Sequence, residues 1–369
     1  MAGSDRDRAK RYSSLKYILT IVDTFYLLAF LLIFLASGLS EAMARGLLKF
    51  SAKNYLAVPL YLLIISFGYY LLNFPLNFYH SYVLEHRFSL SRQKVKDWLR
   101  DQAKAGAISY IVALILTAAF YYILKHFLHN WWLVISLFWI FFTLILAKLA
   151  PVAIIPLFFK YKKLSDGILR ERIMNLADKM KVRVLDCFEI DFSSKTLKGN
   201  AAFVGIGKTR RVILADTLKD KYTYDEIEVI LAHEFAHYKL RHLLKLIFVN
   251  SSATIVIFYL IFKTSDYALK LFGLSSLFDI AALPLILVYF VLAGIIMQPL
   301  GNYISRRLEK NADKLALSVT GLKAAFISAM DKLGTQNLAD RSPHPVIKFF
   351  FFDHPPIDER IKFAQQGTF

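Results

Sequence analysis

Six stretches of the chain, residues 17–39, 55–78, 107–128, 131–158, 243–262 and 280–300, are each apolar over enough length to cross a hydrocarbon core of about 30 Å as a helix. Inside a bilayer every backbone N–H and C=O must find its partner within the protein, so a chain with six such segments is predicted to be built on spanning helices. Composition agrees: 56% of residues are hydrophobic and 20% charged, against about 45–50% and about 25% in soluble proteins. That argues against a soluble single-core enzyme. At 369 residues the chain also exceeds a one-domain binding module. The first stretch follows a basic leader, but its apolar run exceeds the roughly 7–15 residues of a signal-peptide core, so it reads as an anchor that is kept.

Cytoplasmic loops are enriched in Lys and Arg, and the connecting segments alternate in that respect. The leader carries Arg6, Arg8, Lys10, Arg11 and Lys16, and residues 79–106 carry Arg87, Arg92, Lys94, Lys96, Arg100 and Lys104. The intervening loop holds only Arg45, Lys49 and Lys53, the 125–130 link only Lys125, and the loop after the fifth span Lys263 and Lys270. The alternation predicts both termini, and the polar segments 159–242 and 301–369, on the cytoplasmic side of the membrane. The net charge of +18 is thereby read as topology and attraction to membrane lipids. A nucleic-acid partner would call for basic residues clustered with aromatics in one soluble domain, and none is expected. The single Cys187 excludes an internal disulfide or a cysteine-based metal site.

Within 159–242 the pattern predicts a helix over 165–181, a strand over 182–190, and a hairpin of strands 201–206 and 212–215 turning at 207–210. A further helix opens at Thr223-Tyr224-Asp225-Glu226, which has the form of a capping box, with Tyr222 and Ile227 placed for a hydrophobic staple. On that helix stands His233-Glu234-Phe235-Ala236-His237. Residues four apart share a helical face, so the two imidazoles can point at one ion while Glu234, about 100° round, reaches a metal-bound water. Catalytic zinc takes three protein ligands and keeps a fourth position open, so a third ligand is required. After the sixth span, Glu309 and Asp313 are again four apart: Glu309 can ligate, and Asp313 can accept the outer N–H of a ligating histidine. His242 lies nine residues beyond His233, about 180° round a continuous helix, and is read as no ligand. His80, His86, His126 and His129 fall at span boundaries and read as interfacial, and His344 stays ambiguous.

At these residues the chain resembles a known family, the integral-membrane zinc metalloproteases that include CAAX prenyl protease type 1, with the heat-shock membrane metalloproteases as more distant relatives. Phe74-Pro75 through Leu84-Glu85 is similar to the family's segment after an early span, and Ala150-Pro151 to Phe158-Phe159 to its entry into the protease domain. Asn200-Ala201 is similar to its Asn-Ala-Tyr/Phe motif, with Ala202 where an aromatic is usual and Phe203 following. The segments from Arg211 to Leu218 and from Ser305 to Asp313, and His354-Pro355-Pro356 with Arg360, resemble later family motifs. The resemblance implies one catalytic Zn²⁺ held by His233, His237 and Glu309, with Glu234 as general base. It implies that Asn200 and Ala201 bind substrate backbone, and that His354 and Arg360 are catalytic residues near the developing oxyanion. It also implies a chamber enclosed by membrane helices and substrates that include prenylated CAAX proteins. Eukaryotic members are longer and have an additional span, so this chain resembles a prokaryotic form, which implies a prokaryotic cytoplasmic (inner) membrane as its location.

The fold expected is therefore mainly α, multi-pass, with a small α+β zincin-type (gluzincin-like) domain on the cytoplasmic side. Residues 1–158 would form a membrane domain of four spans, and 159–369 a zinc metalloprotease domain interrupted by the spans 243–262 and 280–300. The activity expected is that of a zinc metalloendopeptidase processing peptides or proteins, lipidated ones included. If strand 201–206 is a free edge, an extended peptide can pair with it. Two alternatives stand beside this reading: quality control of membrane proteins, and a non-hydrolytic metal transporter or sensor. The latter calls for ionisable residues lining the spans, where Asp23 and Lys148 are the main ones.

Overall fold

The computed structural model describes residues 2–50, 56–205 and 210–367. The loop lysine Lys53, the start of the second expected span, the strand end at Ile206 and turn residues 207–209 lie outside the described residues. Six of the described helices are long and apolar enough to cross a membrane.

The leader is itself helical and continuous with the first span in α1 (Ala2–Ala36). Its Ala9 and Tyr12 are buried against Leu84, Phe88, Leu90 and Leu338, a contact that extends the helix beyond the apolar run. Next comes α2 (Leu39–Phe50), which at about 18 Å is too short to span. It is pinned where Ser40 donates to the Ala281 carbonyl at 2.6 Å and meets the Tyr61 hydroxyl at 2.7 Å. The second span, α3 (Ala57–Phe78), passes through a wide π turn at Tyr79–Val83 into α4 (Leu84–Arg87). The third and fourth spans are α5 (Val95–His126) and α6 (Trp131–Leu149), the latter ending in a π turn at Ala150–Ile154. Pro151, which has no N–H for a regular α turn, sits in that turn.

The protease half follows: β1 (Tyr161–Lys163), α7 (Gly167–Lys179), β2 (Asp186–Ile190), β3 (Ala201–Val204), β4 (Arg211–Ala215), α8 (Asp216–Lys219) and α9 (Tyr224–Lys239). The fifth and sixth spans are α10 (His242–Leu271) and α11 (Leu283–Thr320), and α12 (Lys323–Gln336), α13 (Pro345–Phe351) and α14 (Ile357–Gln366) close the chain. The spans neighbour one another in the cyclic order α1, α3, α5, α6, α10, α11 and back to α1. Large apolar side chains such as Phe67, Phe141 and Ile296 lie exposed along them, as a lipid-facing surface requires.

The sheet has the order β1-β2-β4-β3. The expected hairpin is present, with β3 antiparallel to β4 and Ala201 opposite Leu214. Two features differ from the sequence reading. Strand β1, not foreseen, pairs antiparallel with β2, and β2 runs parallel to β4. Strand β2 also starts later than residue 182, because α7 ends in a Schellman-type cap. Lys181 takes a left-handed conformation (φ 57°), the Val182 N–H bonds the Ala177 carbonyl and the Lys181 N–H that of Asp178. Residues 181 and 182 thus belong to the helix end.

Candidate metal centre

The helix that carries the histidines opens with the predicted capping box. The Thr223 side chain accepts the Glu226 N–H, and Glu226 accepts the Thr223 N–H at 2.8 Å. Tyr222 and Ile227 are both buried in the core beneath the sheet. From that fixed start α9 packs along α11, and the four-residue spacings on the two helices face each other. His233 Nε2 lies 3.1 Å from Glu309 Oε2, His237 Nε2 3.2 Å from Glu309 Oε1, and the two Nε2 atoms 3.0 Å apart. One ligand atom from each of the three residues can be chosen so that all lie within 4.8 Å of one another. Glu309 is 4% exposed, and its buried Oε2 has no hydrogen-bond partner among the described residues. A buried carboxylate oxygen left without a donor, beside two imidazole nitrogens, fits a cation held between them.

Behind the ligands, His233 Nδ1 meets Asp313 Oδ1 at 2.8 Å, the outer contact that fixes a ligating tautomer. Arg360 grips that carboxylate with two bonds, Nε to Oδ2 at 2.8 Å and Nη2 to Oδ1 at 2.6 Å. Its guanidinium is buried and engaged by Asp313, because an uncompensated carboxylate at that depth is costly. His354 does approach the centre, with Nε2 3.4 Å from Glu309 Oε1 and Nδ1 2.8 Å from the Asp353 carboxylate. Its side chain stays half exposed. Burial disfavours the charged form of His354, but Asp353 and Glu309 outweigh it and raise its pKa. Burial pushes the Glu234 carboxyl above its usual range, against the pull of His233 and His237.

Asn200 is exposed, and its carbonyl accepts the Ala215 N–H at 3.0 Å. Ala201 begins β3, which has no further strand on its outer side among the described residues. This edge strand lies against the histidine helix, with the Phe203 ring 5.0 Å from that of Phe235 and 5.8 Å from that of Tyr238. Beside His237 a groove of about 1250 Å³ runs between α6, α10 and α11, with Leu144, Ile247, Phe290 and Met297 among its apolar walls.

Two residues escaped the sequence reading. Arg306, one helical turn before Glu309, donates to the carbonyls of Lys348 (3.0 Å) and Phe352, and so ties the segment leading to His354 onto α11. Its neighbour in sequence, Arg307, carries the same charge, so no local signal marks it. His242 is the second. The continuous helix assumed in setting it aside is interrupted: α9 ends at Lys239, Arg241 turns left-handed (φ 56°, ψ 36°), and α10 begins at His242. His242 is therefore brought back to His237, their Nδ1 atoms 3.0 Å apart. No Gly or Pro announces the break.

Comparisons with known proteins identify the family. Residues 2–160 match the family model described as CAAX prenyl protease N-terminal, five membrane helices, a region in which four of the candidate spans occur. Residues 163–367 match that of peptidase family M48. The uncharacterized metalloprotease YhfN of Bacillus subtilis (strain 168) is 28% identical over 370 residues, which cover 99% of this chain and 87% of the relative. A CAAX prenyl protease 1 homolog of Arabidopsis thaliana is 30% identical over 297 residues, covering 78% of this chain and 68% of that one. The crystal structure of S. mikatae Ste24p is similar with a TM-score of 0.86 at 25% identity, over 97% of this chain and 88% of that one.

Proposed function

The chain belongs to peptidase family M48, as an integral membrane metalloprotease of the CAAX prenyl protease 1 type, and from that premise we propose that it is a zinc endopeptidase whose site is built by His233, His237 and Glu309. The convergence of these three side chains carries the reading. Zinc bound there would polarise a scissile carbonyl and bring the pKa of a water to about 7. Glu234 takes the proton of the attacking water and delivers it to the leaving amine, a role to which its burial-raised pKa is suited. Peptide-bond hydrolysis results. His354, half exposed beside Glu309, donates to the developing oxyanion. Arg360 and Asp313 hold His233 in its ligating orientation from behind.

The substrate lies extended along the outer edge of β3, where free main-chain groups from Ala201 onward accept a strand of almost any sequence and Asn200 aligns it. The groove beside His237 is mainly apolar and, at about 1250 Å³, roomy enough to take a lipid attached to the substrate, which favours prenylated CAAX proteins among the substrates. The working division is 1–158 as membrane domain and 159–369 as protease domain. Loop charges favour a site and termini on the cytoplasmic side, among anionic lipids, and the similarity to a Bacillus subtilis relative favours a prokaryotic inner membrane.

The test is mass spectrometry of cleavage products from purified wild type and Glu234→Gln, on matched farnesylated and unmodified CAAX peptides and on membrane extracts. Wild type should hold one zinc and cleave in a chelator-sensitive way, and Glu234→Gln should keep the zinc and lose about 10²–10⁴-fold in rate. Preference for the farnesylated peptide supports processing, whereas cleavage of many unfolded membrane proteins supports quality control. Full chelator-sensitive activity in Glu234→Gln, or protein without zinc, would sink the mechanism.

A further inference from the structure

We infer that His242 is a positioning residue for the metal centre, its ring determining which nitrogen of His237 faces the cation. The inference rests on the reading of His233, His237 and Glu309 as ligands. His237 turns Nε2 toward Glu309 and His233, at 3.2 and 3.0 Å, so Nδ1 is its outer nitrogen. An imidazole that offers its Nε2 lone pair to a cation carries its proton on Nδ1, and that proton needs an acceptor. His242 Nδ1 stands 3.0 Å away, with the ring centroids 5.0 Å apart and the planes at 78°.

His242 then holds its own proton on Nε2. That atom is buried and has no hydrogen-bond partner among the described residues, and the residue is 1% exposed. A histidine kept in a core for packing alone would be expected to satisfy both nitrogens. This one makes a single described polar contact, and that contact is with a ligand. The two ligands are thus served differently. His233 has the carboxylate of Asp313, whose charge Arg360 balances. A second carboxylate beside His237 would add negative charge next to Glu309. A neutral imidazole accepts the same proton without adding charge.

The backbone is shaped for this contact. On a continuous helix, residue 242 would lie about 140° round from His237 and about 7.5 Å further along the axis. The left-handed Arg241, a conformation disfavoured for a side chain bearing a Cβ, closes that distance.

The test compares zinc affinity of the full-length protein in detergent by chelator competition, with bound zinc measured by elemental mass spectrometry. His242→Leu removes the acceptor and should weaken zinc about 10–100-fold. His242→Gln keeps an acceptor oxygen and should stay close to wild type, while thermal unfolding of the zinc-free forms checks the fold. If His242→Leu does not fold, His242→Met, which packs more adaptably, replaces it in the same comparison. Wild-type affinity in the variant lacking the acceptor, or equal loss in the Gln variant, would overturn the inference and leave His242 a packing residue. Wild type that binds no stoichiometric zinc would instead overturn the ligand assignment on which it rests.

Discussion

The protein has two large buried cores, and they differ in what they bury besides apolar side chains. The core at one end of the helical ring joins Leu31, Tyr61, Leu124, Ile135, Phe258 and Ile261 with the start of α11. The buried polar residues at that end are neutral: Ser40 of α2, and Thr117, Ser136 and Ser265 of the spans α5, α6 and α10. The core beneath the sheet joins α7, α9, α11, α12 and α14, and around it are buried Glu189, Glu226, His233, Glu309, Asp313 and Arg360. Burying a charge without a partner is costly, and all but one of these carboxylates meet a Lys or Arg. Glu189 has Lys219 at 2.8 Å, Glu226 has Lys332 at 2.7 Å, and Asp313 has Arg360. The exception is instructive: among the described residues Glu309 makes its ion-pair contacts with histidines, His233, His237 and His354, and its Oε2 has no hydrogen-bond partner. The comparison teaches that the far core serves packing, and that the near core spends its structure on holding charges in place.

If so, mutations in the two cores should separate stability from metal binding. The largest expected effect is that of Arg360→Leu, which leaves Asp313 buried and unpaired. It should cost about 3–5 kcal/mol in thermal unfolding, and lower zinc affinity as well through loss of orientation at His233. Loss of stability with unchanged zinc affinity would break the link between that pair and the centre. At the far end, Ile261→Val should cost about 1 kcal/mol in unfolding and leave zinc affinity and kcat unchanged. A change in either would show that the two cores are coupled.

The smallest effect concerns Glu226. Burial raises its carboxyl, but Lys332, Ser328 and the Thr223 N–H outweigh that and hold it below its ordinary 4.5. A depressed pKa contributes stability above the unfolded value, lost as pH falls through the folded one. Glu226→Gln should therefore be less stable than wild type at pH 7 by up to about 1 kcal/mol, with the gap closing as unfolding is repeated below pH 4.5. A gap that does not change with pH would assign the loss to packing.

Much of the centre is legible in the sequence because its parts are local. The spacings of His233 to His237 and of Glu309 to Asp313 follow from the pitch of a helix, and the cap at Thr223 from four adjacent residues. What escaped depends on where separate segments meet. Nothing near Arg360 says that its partner is Asp313 rather than a substrate oxygen. Nothing in Leu240-Arg241-His242 marks a left-handed turn, because any residue can be driven there when packing on both sides demands it. Strand β1 was missed because three residues, Tyr161 to Lys163, are too few to show a period and are drawn into the sheet by β2.

Sequence by itself therefore determined the six apolar helices, the ligand pairs and the start of the histidine helix, since each depends on chain periodicity and neighbouring residues alone. Only the tertiary structure decided that α9 and α11 lie face to face, that Arg360 neutralises Asp313, and that His242 returns to His237. Those contacts link residues from 5 positions apart, His237 and His242, to 80, His233 and Asp313, and their energies depend on burial and on partners that no local pattern specifies.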